Sequence, residues 1–388
     1  MAVTTPVTTR AVDLAAVDKG GLVAEDVIPR LFNLTPVERP MIDAIGSTDC
    51  DSTKKEFVDK VLAKPNSRNT AAENEDLSAR NDSRQGHRYY NWCQQMTKVI
   101  KTSQRGRDVK LIYDADEFLQ QLMDAGEELR MDEEAAVVSR NPATPETATA
   151  HPQPPLPPAA GTAPSGSEAG SLMAGACSWG LYNSSYGVGA TAPILDGTGI
   201  FPEQGGAPTT APDPGTKRAF TETMLRDTLR GGWKDGARFN LLMSTGDMIE
   251  VIGNYMFTST ARVASMQTDV AQSNRTGVTA GNGARQGGVV AQGAVNMFVG
   301  NFGVVTLVPN RQMEEYDSGA GTADACDILF VDTRYPVVGT LHSYDTKDLS
   351  EVGLYDQQVL FVDKTFIPGA TRSLAVVGDI DFAVPMTA

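Results

Sequence analysis

The chain is poor in the residues that build most catalytic and metal centres. Its 388 residues include three histidines and four cysteines, and no two cysteines form a CxxC pair. Histidines so few and dispersed argue against a His-based metal site or acid–base pair, and isolated cysteines favour free thiols over a zinc site or a disulfide framework. No catalytic, cofactor-binding or metal-binding residue is therefore predicted.

Long apolar runs are also missing. No stretch approaches the roughly 20 apolar residues of a membrane-spanning helix, and the opening residues hold no apolar core of signal-peptide length. These absences predict a cytoplasmic chain without a membrane partner. A formal net charge of −15 argues against tight wrapping of nucleic acid, since phosphate neutralisation needs clustered Lys and Arg. Loose proximity to DNA is compatible with that charge.

Against this acidic background, one segment carries the opposite sign. Residues 51–110 hold thirteen Lys and Arg against eight Asp and Glu, a net +5. The following segment, 114–138, holds nine acidic residues against Arg130 alone, a net −8. Adjacent segments of opposite charge indicate surfaces that meet, within one chain or between neighbouring copies.

The basic segment has the pattern of a long β-hairpin. Residues 56–64 and 87–103 are rich in aromatic and β-branched residues, and a polar tract separates them. Period two places six side chains on one face of the second strand: Tyr90, Trp92, Gln94, Met96, Lys98 and Ile100. A hairpin by itself has too little core to stand alone, so it is expected to rest on a partner.

The acidic segment has the pattern of a helix. Asp114 is its candidate N-cap, with Glu117 three residues on, and four apolar residues recur at helical spacing through to Val138: Phe118, Leu122, Ala125 and Leu129. The acidic pairs 127–128 and 133–134 are interpreted as a solvated or partner-facing surface of this helix rather than as metal ligands.

The remaining chain divides by composition. Thr35 is a candidate N-cap for a short helix that Pro40 limits to a turn or two. Residues 141–216 hold thirteen of the 22 prolines and no Lys or Arg, and their first part is too rich in Pro, Ala and Thr to pack a core. This part predicts a mobile surface insertion.

Regular structure returns after residue 217. A helix is predicted from about Thr221 and is expected to stop at Gly231 and Gly232. A buried strand at 239–243, a second helix ending at Met256 and strands at 302–308, 328–331 and 358–366 follow. Helices followed by several strands around a core predict the α+β class.

The order of these parts resembles the major capsid protein of tailed bacteriophages, whose fold is shared with herpesvirus capsids. The resemblance is carried by LTPVERPMIDAIG at 34–46, by residues 220–255, and by FGVVTLVPNRQM at 302–313 with DILFVD at 327–332. It implies an N-terminal arm (1–50), an E-loop hairpin (51–110), the spine helix of the P domain (111–140), a Pro-rich insertion (141–170), the A domain with further P-domain elements (171–340) and C-terminal strands (341–388).

The resemblance also implies a function. It indicates a structural protein, not an enzyme, that needs no cofactor and self-assembles into an icosahedral shell enclosing double-stranded DNA. The implied partners are identical copies in hexamers and pentamers, a portal, and separate scaffolding or decoration proteins where these are used. Packaged DNA would be met only by loose, non-specific proximity. The implied location is the virion capsid, assembled in the host cytoplasm.

The hairpin of one copy is then expected to lie over the acidic helix of its neighbour. Candidate contact residues are Arg84, Arg88, Tyr90 and Trp92 on the hairpin and Glu127, Glu128 and Glu133 on the helix. Alternatives left open are a phage tail-tube or capsid decoration protein, a metal-dependent hydrolase with its site on the acidic helix, and a module that binds single-stranded nucleic acid through the aromatic and basic residues of the hairpin.

Overall fold

The computed structural model describes residues 37–63, 65–71, 73, 86–108, 116–146, 170–195, 205–258, 297–316, 324–350 and 353–386. The helices are α1 (Pro40–Ala44), α2 (Gln104–Asp108), α3 (Glu117–Val138), α4 (Glu222–Asp235) and α5 (Gly246–Thr258). The strands are β1 (Gly46–Asp49), β2 (Lys54–Asp59), β3 (His87–Trp92), β4 (Gln94–Ser103), β5 (Ile194–Leu195), β6 (Pro208–Thr210), β7 (Leu241–Ser244), β8 (Met297–Gly300), β9 (Gly303–Pro309), β10 (Cys326–Val331), β11 (Val337–Asp348), β12 (Tyr355–Ile367) and β13 (Leu374–Ile380).

Two larger sheets organise these elements. One has the strand order β1-β11-β12-β4 and the other the order β13-β10-β7-β9-β8. In the four-stranded sheet β1 runs parallel to β11, and the other neighbours are antiparallel. In the five-stranded sheet only β7 and β9 run parallel. Helices combined with mixed sheets are the predicted α+β class.

The five-stranded sheet separates two hydrophobic cores. Strand β10 is buried throughout, and its successive side chains point to opposite faces. Ile328 and Phe330 join the core that contains Leu225 of α4. Leu329 joins the other core, together with Leu129 of α3. A strand buried on both faces reads as a continuous apolar run, which is why the sequence predicted it.

Helix α4 begins where predicted and ends later. The Thr221 hydroxyl accepts a hydrogen bond from the Met224 amide at 3.2 Å, as an N-cap does. The predicted stop at Gly231 and Gly232 is wrong, since the helix continues to Asp235 and is closed by Gly236 at φ 93°. A Cβ on Gly232 would lie 2.2 Å from the Phe239 ring. That glycine therefore serves close packing and not helix termination.

The packing role of Gly232 can be tested by comparing it with Gly253, a second glycine inside a helix. Gly232→Ala is expected to lower the free energy of unfolding by about 1–3 kcal/mol through overpacking. Gly253→Ala, in α5, meets nothing within 4 Å and is expected to raise it by about 0.5–1 kcal/mol through helix propensity. Urea unfolding of both variants checks the signs, and equal effects would contradict the packing argument.

Helix α1 begins at Pro40 instead of ending there. The predicted cap, Thr35, lies outside the described residues, and residues 37–39 are not helical. Proline suits the first turn of a helix because its missing amide would have no partner there. Met41 is fully buried, so this part of the N-terminal segment packs on the body of the protein.

The Pro-rich stretch is packed at its start. Ala143 is buried and its amide donates to the Pro208 carbonyl at 2.7 Å, while Thr144 and Leu172 bond reciprocally. Residues 147–169, which hold most of the predicted insertion, lie outside the described residues. The chain from 170 to 195 is mostly irregular and fully buries Trp179.

A buried ionic network links the end of α3 to the five-stranded sheet. Arg140 donates from Nε to Asp327 Oδ2 at 2.6 Å and from Nη2 to Oδ1 at 2.5 Å. Its guanidinium also stacks 3.7 Å from the centre of the Tyr316 ring. The Tyr316 hydroxyl lies 3.1 Å from Asp379 Oδ1 and accepts from the Asp379 amide at 2.8 Å. Burial by itself lowers the pKa of Arg140, and Asp327 raises it further than burial lowers it, so the guanidinium stays charged.

Candidate assembly surface

The base of the predicted hairpin is formed by β2 and β3. These strands pair antiparallel from Lys54 opposite Trp92 to Asp59 opposite His87. Residues 74–85, Arg84 among them, lie outside the described residues. We call β2 and β3 the hairpin base.

The predicted second strand is two strands, and the break at Cys93 changes which face is buried. In β3 the odd-numbered side chains Tyr89 and Asn91 are buried, whereas in β4 the even-numbered positions are buried. The prediction of one continuous face through Tyr90 and Trp92 is therefore wrong. Strand β3 pairs with β2 and strand β4 with β12, so the two strands pack against different surroundings.

The inner face of the hairpin base is anchored to the chain's own core. Tyr89 is 2% exposed, and its ring centroid lies 5.6 Å from that of Phe57 and 6.4 Å from that of Trp179. Asn91 exchanges hydrogen bonds of 3.0 and 2.9 Å with the backbone of Ala174. The hairpin base thus rests on its own subunit, because its buried polar group and its rings are satisfied there.

The outer face of the hairpin base is cationic and aromatic. The Arg88 side chain is 72% exposed and forms an ion pair of 3.3 Å with Glu56. The Lys54 ammonium lies 3.8 Å from the centroid of the Tyr90 ring. Tyr90 and Trp92 are half-buried and meet edge to face at 6.0 Å. Both rings are partly exposed and also pack against the core that contains Tyr89.

Exposed apolar side chains lie beside these charges. Val58, directly opposite Arg88 in the strand register, and the following Val61 and Leu62 are exposed, Leu62 to 76%. We call Val58, Val61, Leu62 and Arg88 the hairpin surface. Large apolar side chains exposed close together in the chain, beside charged ones, are a candidate interaction site.

Helix α3 presents a surface of the complementary kind. Its buried side includes Phe118, Ala125 and Leu129, as predicted. Its cap is Asp116, whose carboxylate accepts from the Phe118 amide at 3.0 Å, and the predicted cap, Asp114, lies outside the described residues. Its exposed positions are apolar near the start, at Leu119 and Met123, and mainly acidic further on, at Glu127, Glu128 and Asp132, with Arg130 exposed among them. We call Leu119, Met123, Glu127 and Glu128 the helix surface.

Part of the opposite charge meets within one chain. Lys98 of β4 lies 2.8 Å from Asp132 and 3.4 Å from Glu128. Burial lowers the pKa of the Lys98 ammonium, but the two carboxylates more than offset this and the pKa is raised. Glu127 is exposed and forms no ion pair within the described part of the chain. The basic and acidic segments therefore neutralise each other only in part.

The acidic pair at 133–134 is not on the helix surface. Glu133 is 0% exposed, lies 3.5 Å from Arg39, and is bonded by the Lys364 ammonium and the Tyr344 hydroxyl. The interpretation of Glu133 as part of a solvated or partner-facing surface is therefore wrong. Ala125, Leu129 and Glu133 follow at intervals of four, so helical spacing already placed Glu133 on the buried side.

Glu134 holds the N-terminal segment, and sequence reasoning missed this role. Its carboxylate accepts hydrogen bonds from the Met41 amide at 2.8 Å, the Ile42 amide at 3.1 Å and Asn310 Nδ2 at 2.7 Å. Burial raises the pKa of Glu134 and the three donors oppose that rise. The carboxylate thus accepts hydrogen bonds from amides in the first turn of α1. Amides at this position have no acceptor within the helix.

Glu134→Ala is expected to lower the free energy of unfolding by about 1–3 kcal/mol, because buried amides are left without acceptors. Amide hydrogen exchange at Met41 and Ile42 should accelerate at the same time. Glu127→Ala, exposed on the same helix, is the matched control and should change neither. Unaltered protection of the two amides in Glu134→Ala would contradict the assignment.

Comparison with known proteins decides the family. A model of the SU10 major capsid protein family matches residues 3–381, almost the whole chain. The chain belongs to the SU10 major capsid protein family. It is therefore a structural protein of a phage capsid shell, as the resemblance in the sequence implied, and its place is the virion capsid.

Solved structures agree at the level of the fold. The chain is similar to the capsid of a native GTA particle (TM-score 0.51, 12% identity, covering 96% of this chain and 99% of that chain). It is also similar to a chain from Mycobacterium phage Bobi (0.50, 11%, 94% and 98%) and to one from the cyanophage A-1(L) capsid (0.51, 12%, 95% and 99%). No curated protein matches this SU10 family member in sequence.

Within the described residues, membrane-spanning helices and clustered metal ligands are both absent. No helix in the described ranges is long and apolar enough to cross a membrane. In the same part of the chain, no three His, Cys, Asp or Glu side chains lie together in a way that could hold a metal ion.

Proposed function

We propose that this SU10 family member self-assembles into an icosahedral shell that encloses double-stranded DNA, with copies of the chain arranged in hexamers and pentamers. The observation that carries the proposal is the family match over residues 3–381. A subunit that carries exposed apolar and charged side chains on two separate elements is suited to contacts among many identical copies.

The contact proposed between copies joins the hairpin surface to the helix surface of a neighbour. One offers Arg88 with Val58 and Leu62, and the other offers Glu127 and Glu128 with Leu119 and Met123. Opposite charges beside apolar groups on both sides are electrostatically and chemically complementary. Each exposed ion pair contributes at most about 1 kcal/mol, so number and partial burial provide the stability. The contact should weaken as salt increases.

The remaining partners follow from charge and from the family. A chain of net charge −15 repels DNA, so packaged DNA is held inside the shell without tight binding to its wall. A closed shell that is filled with DNA needs a portal. Scaffolding and decoration, where used, would come from separate proteins, and assembly would take place in the host cytoplasm.

Electron microscopy of the purified full-length protein tests this function. Closed shells are expected at low ionic strength, with fewer particles as salt is raised. Tubes or stacked rings would contradict a shell and would indicate a tail-tube protein instead. A protein that stays monomeric at every salt and protein concentration tried would overturn self-assembly.

A further inference from the structure

Two of the four thiols meet at the root of the hairpin. Cys50 follows β1, and Cys93 lies between β3 and β4. Each therefore stands where the chain passes between the four-stranded sheet and the hairpin base. Both thiols are free and buried, and each is among the groups that shift the pKa of the other. Cys93 also bonds the carbonyls of Ser52 and Thr53, two and three residues after Cys50.

The surrounding backbone leaves space for the two thiols on one side and covers them with a short loop on the other. A Cβ on Gly339 of β11 would lie 2.4 Å from Cys50 Sγ, so a glycine is needed for the sulfur to fit. On the other side, the Cys93 amide donates to the Thr53 carbonyl at 2.7 Å, and Cys93 Sγ lies 3.4 Å from the Ser52 carbonyl oxygen. Residues 51–53 are exposed. Opening this short loop is enough to admit a small reagent.

We propose that Cys50 and Cys93 are a redox modification site: a small disulfide of the oxidised-glutathione class converts them reversibly into a disulfide that closes the root of the hairpin. The Cys50 thiolate attacks one sulfur of the reagent and releases one small thiol, which leaves a mixed disulfide on Cys50. The Cys93 thiolate then attacks the Cys50 sulfur and releases the second small thiol. The chain loses two thiols and the reagent is reduced to two thiols.

The order of attack follows from the two environments. Burial raises the pKa of the Cys50 thiol, and the Lys55 ammonium opposes the rise. Burial raises the pKa of Cys93 to about 12, since it lies deeper. The thiolate is the attacking species, so Cys50 reacts first, and the reaction is slow because it waits for the loop to open.

The disulfide would close a covalent loop that contains the hairpin. It joins residues 50 and 93, and both β2 and β3 lie between them in the chain. The end of β1 and the start of β4 both belong to the four-stranded sheet, so the disulfide holds the hairpin root to that sheet. On the proposed function, and resting on it, oxidised copies would keep the hairpin at one angle when they meet a neighbour.

Thiol mapping tests the site without reference to shells. The reduced full-length protein is equilibrated in buffers of reduced and oxidised glutathione, alkylated, digested without reduction and analysed by mass spectrometry. Two of the four thiols should disappear into one Cys50–Cys93 peptide pair. The pair should form at an effective concentration about tenfold or more above that in the guanidinium-unfolded chain.

Matched variants complete the test. Cys50→Ser should abolish the crosslinked peptide, whereas Cys326→Ser, which removes a thiol of the other core, should leave it intact. Four thiols that persist in the folded protein, a mixed disulfide that never resolves, or pairing no stronger than in the unfolded chain would each overturn the proposal. Because unassembled protein is used, a failure of shell formation leaves this result readable.

Discussion

Arg140→Met is expected to lower the free energy of unfolding by about 3–5 kcal/mol, because removing one partner of a buried ion pair leaves the other charge uncompensated. Asp327 is 3% exposed, and the Arg140 guanidinium supplies its charged partner and two of its side-chain hydrogen bonds, beside a third from the Tyr316 hydroxyl. Denaturant unfolding measures the loss directly. Reduced soluble expression should accompany it, since such a loss is a large part of a typical domain's stability.

Two further variants separate the buried pair from a general effect of losing arginine. Arg226→Met removes an exposed i,i+4 partner of Glu222 and should have a much smaller effect. Combining Arg140→Met with Asp327→Leu should recover part of the loss, because apolar replacements of a buried pair leave no stranded charge. A double variant less stable than Arg140→Met alone would contradict the account.

Reversing Arg84 and Arg88 to Glu is expected to prevent shell formation while the subunit still folds. The reversal places negative charge on the hairpin, opposite the Glu127 and Glu128 proposed to face it, so attraction becomes repulsion. Electron microscopy counts the particles, and circular dichroism with thermal unfolding checks the subunit. Normal numbers of particles would count against the proposed contact.

Controls make that result specific to charge. Arg88→Lys keeps the charge and should assemble. Adding Glu127→Lys and Glu128→Lys to the reversed hairpin should restore assembly in part, because the pairing is re-formed with the signs exchanged. If the restored pair assembles no better than the reversed hairpin alone, the two surfaces do not meet.

Helices with a clear apolar period were predictable, and their ends were less so. α3 buried Phe118, Ala125 and Leu129, as the spacing indicated, and left Leu122 half-buried. Helical period and burial report the same geometry. The end of α4 was not predictable, since Gly232 is required by the Phe239 ring, which lies outside the helix. A glycine that serves packing looks in sequence like one that ends a helix.

The residue pattern did not locate strands β11 and β13, and the resemblance implied only C-terminal strands within 341–388. β11 carries many polar residues and is half exposed, yet it pairs with β1 on one side and β12 on the other. β13 contains Gly378 and is nonetheless buried throughout, beside β10. Strand formation depends on what lies alongside more than on intrinsic preference, so the polar β11 had no clear local signal. β13 does begin with an apolar run, Leu374–Val377, but its bounds were not predicted.

The candidate surfaces were also predictable only in part. Charge counting placed a basic hairpin beside an acidic helix, but it treated all acids of the helix as equivalent. The structure places Glu127 and Glu128 outside and Glu133 and Glu134 inside, where Lys364 and the amides of α1 satisfy them. A buried carboxylate needs partners that come from far along the chain, and no local pattern shows them.

The sequence by itself determined the charge of each segment, the main helices, the buried strand β10 and the likeness to tailed-phage capsid proteins, because each of these depends on local order or on composition. Only the tertiary structure decided which acids are buried, where the strand at Cys93 changes face and that two thiols meet at the hairpin root. These features depend on contacts between residues such as Cys50 and Cys93, or Met41 and Glu134, that only the folded chain brings together.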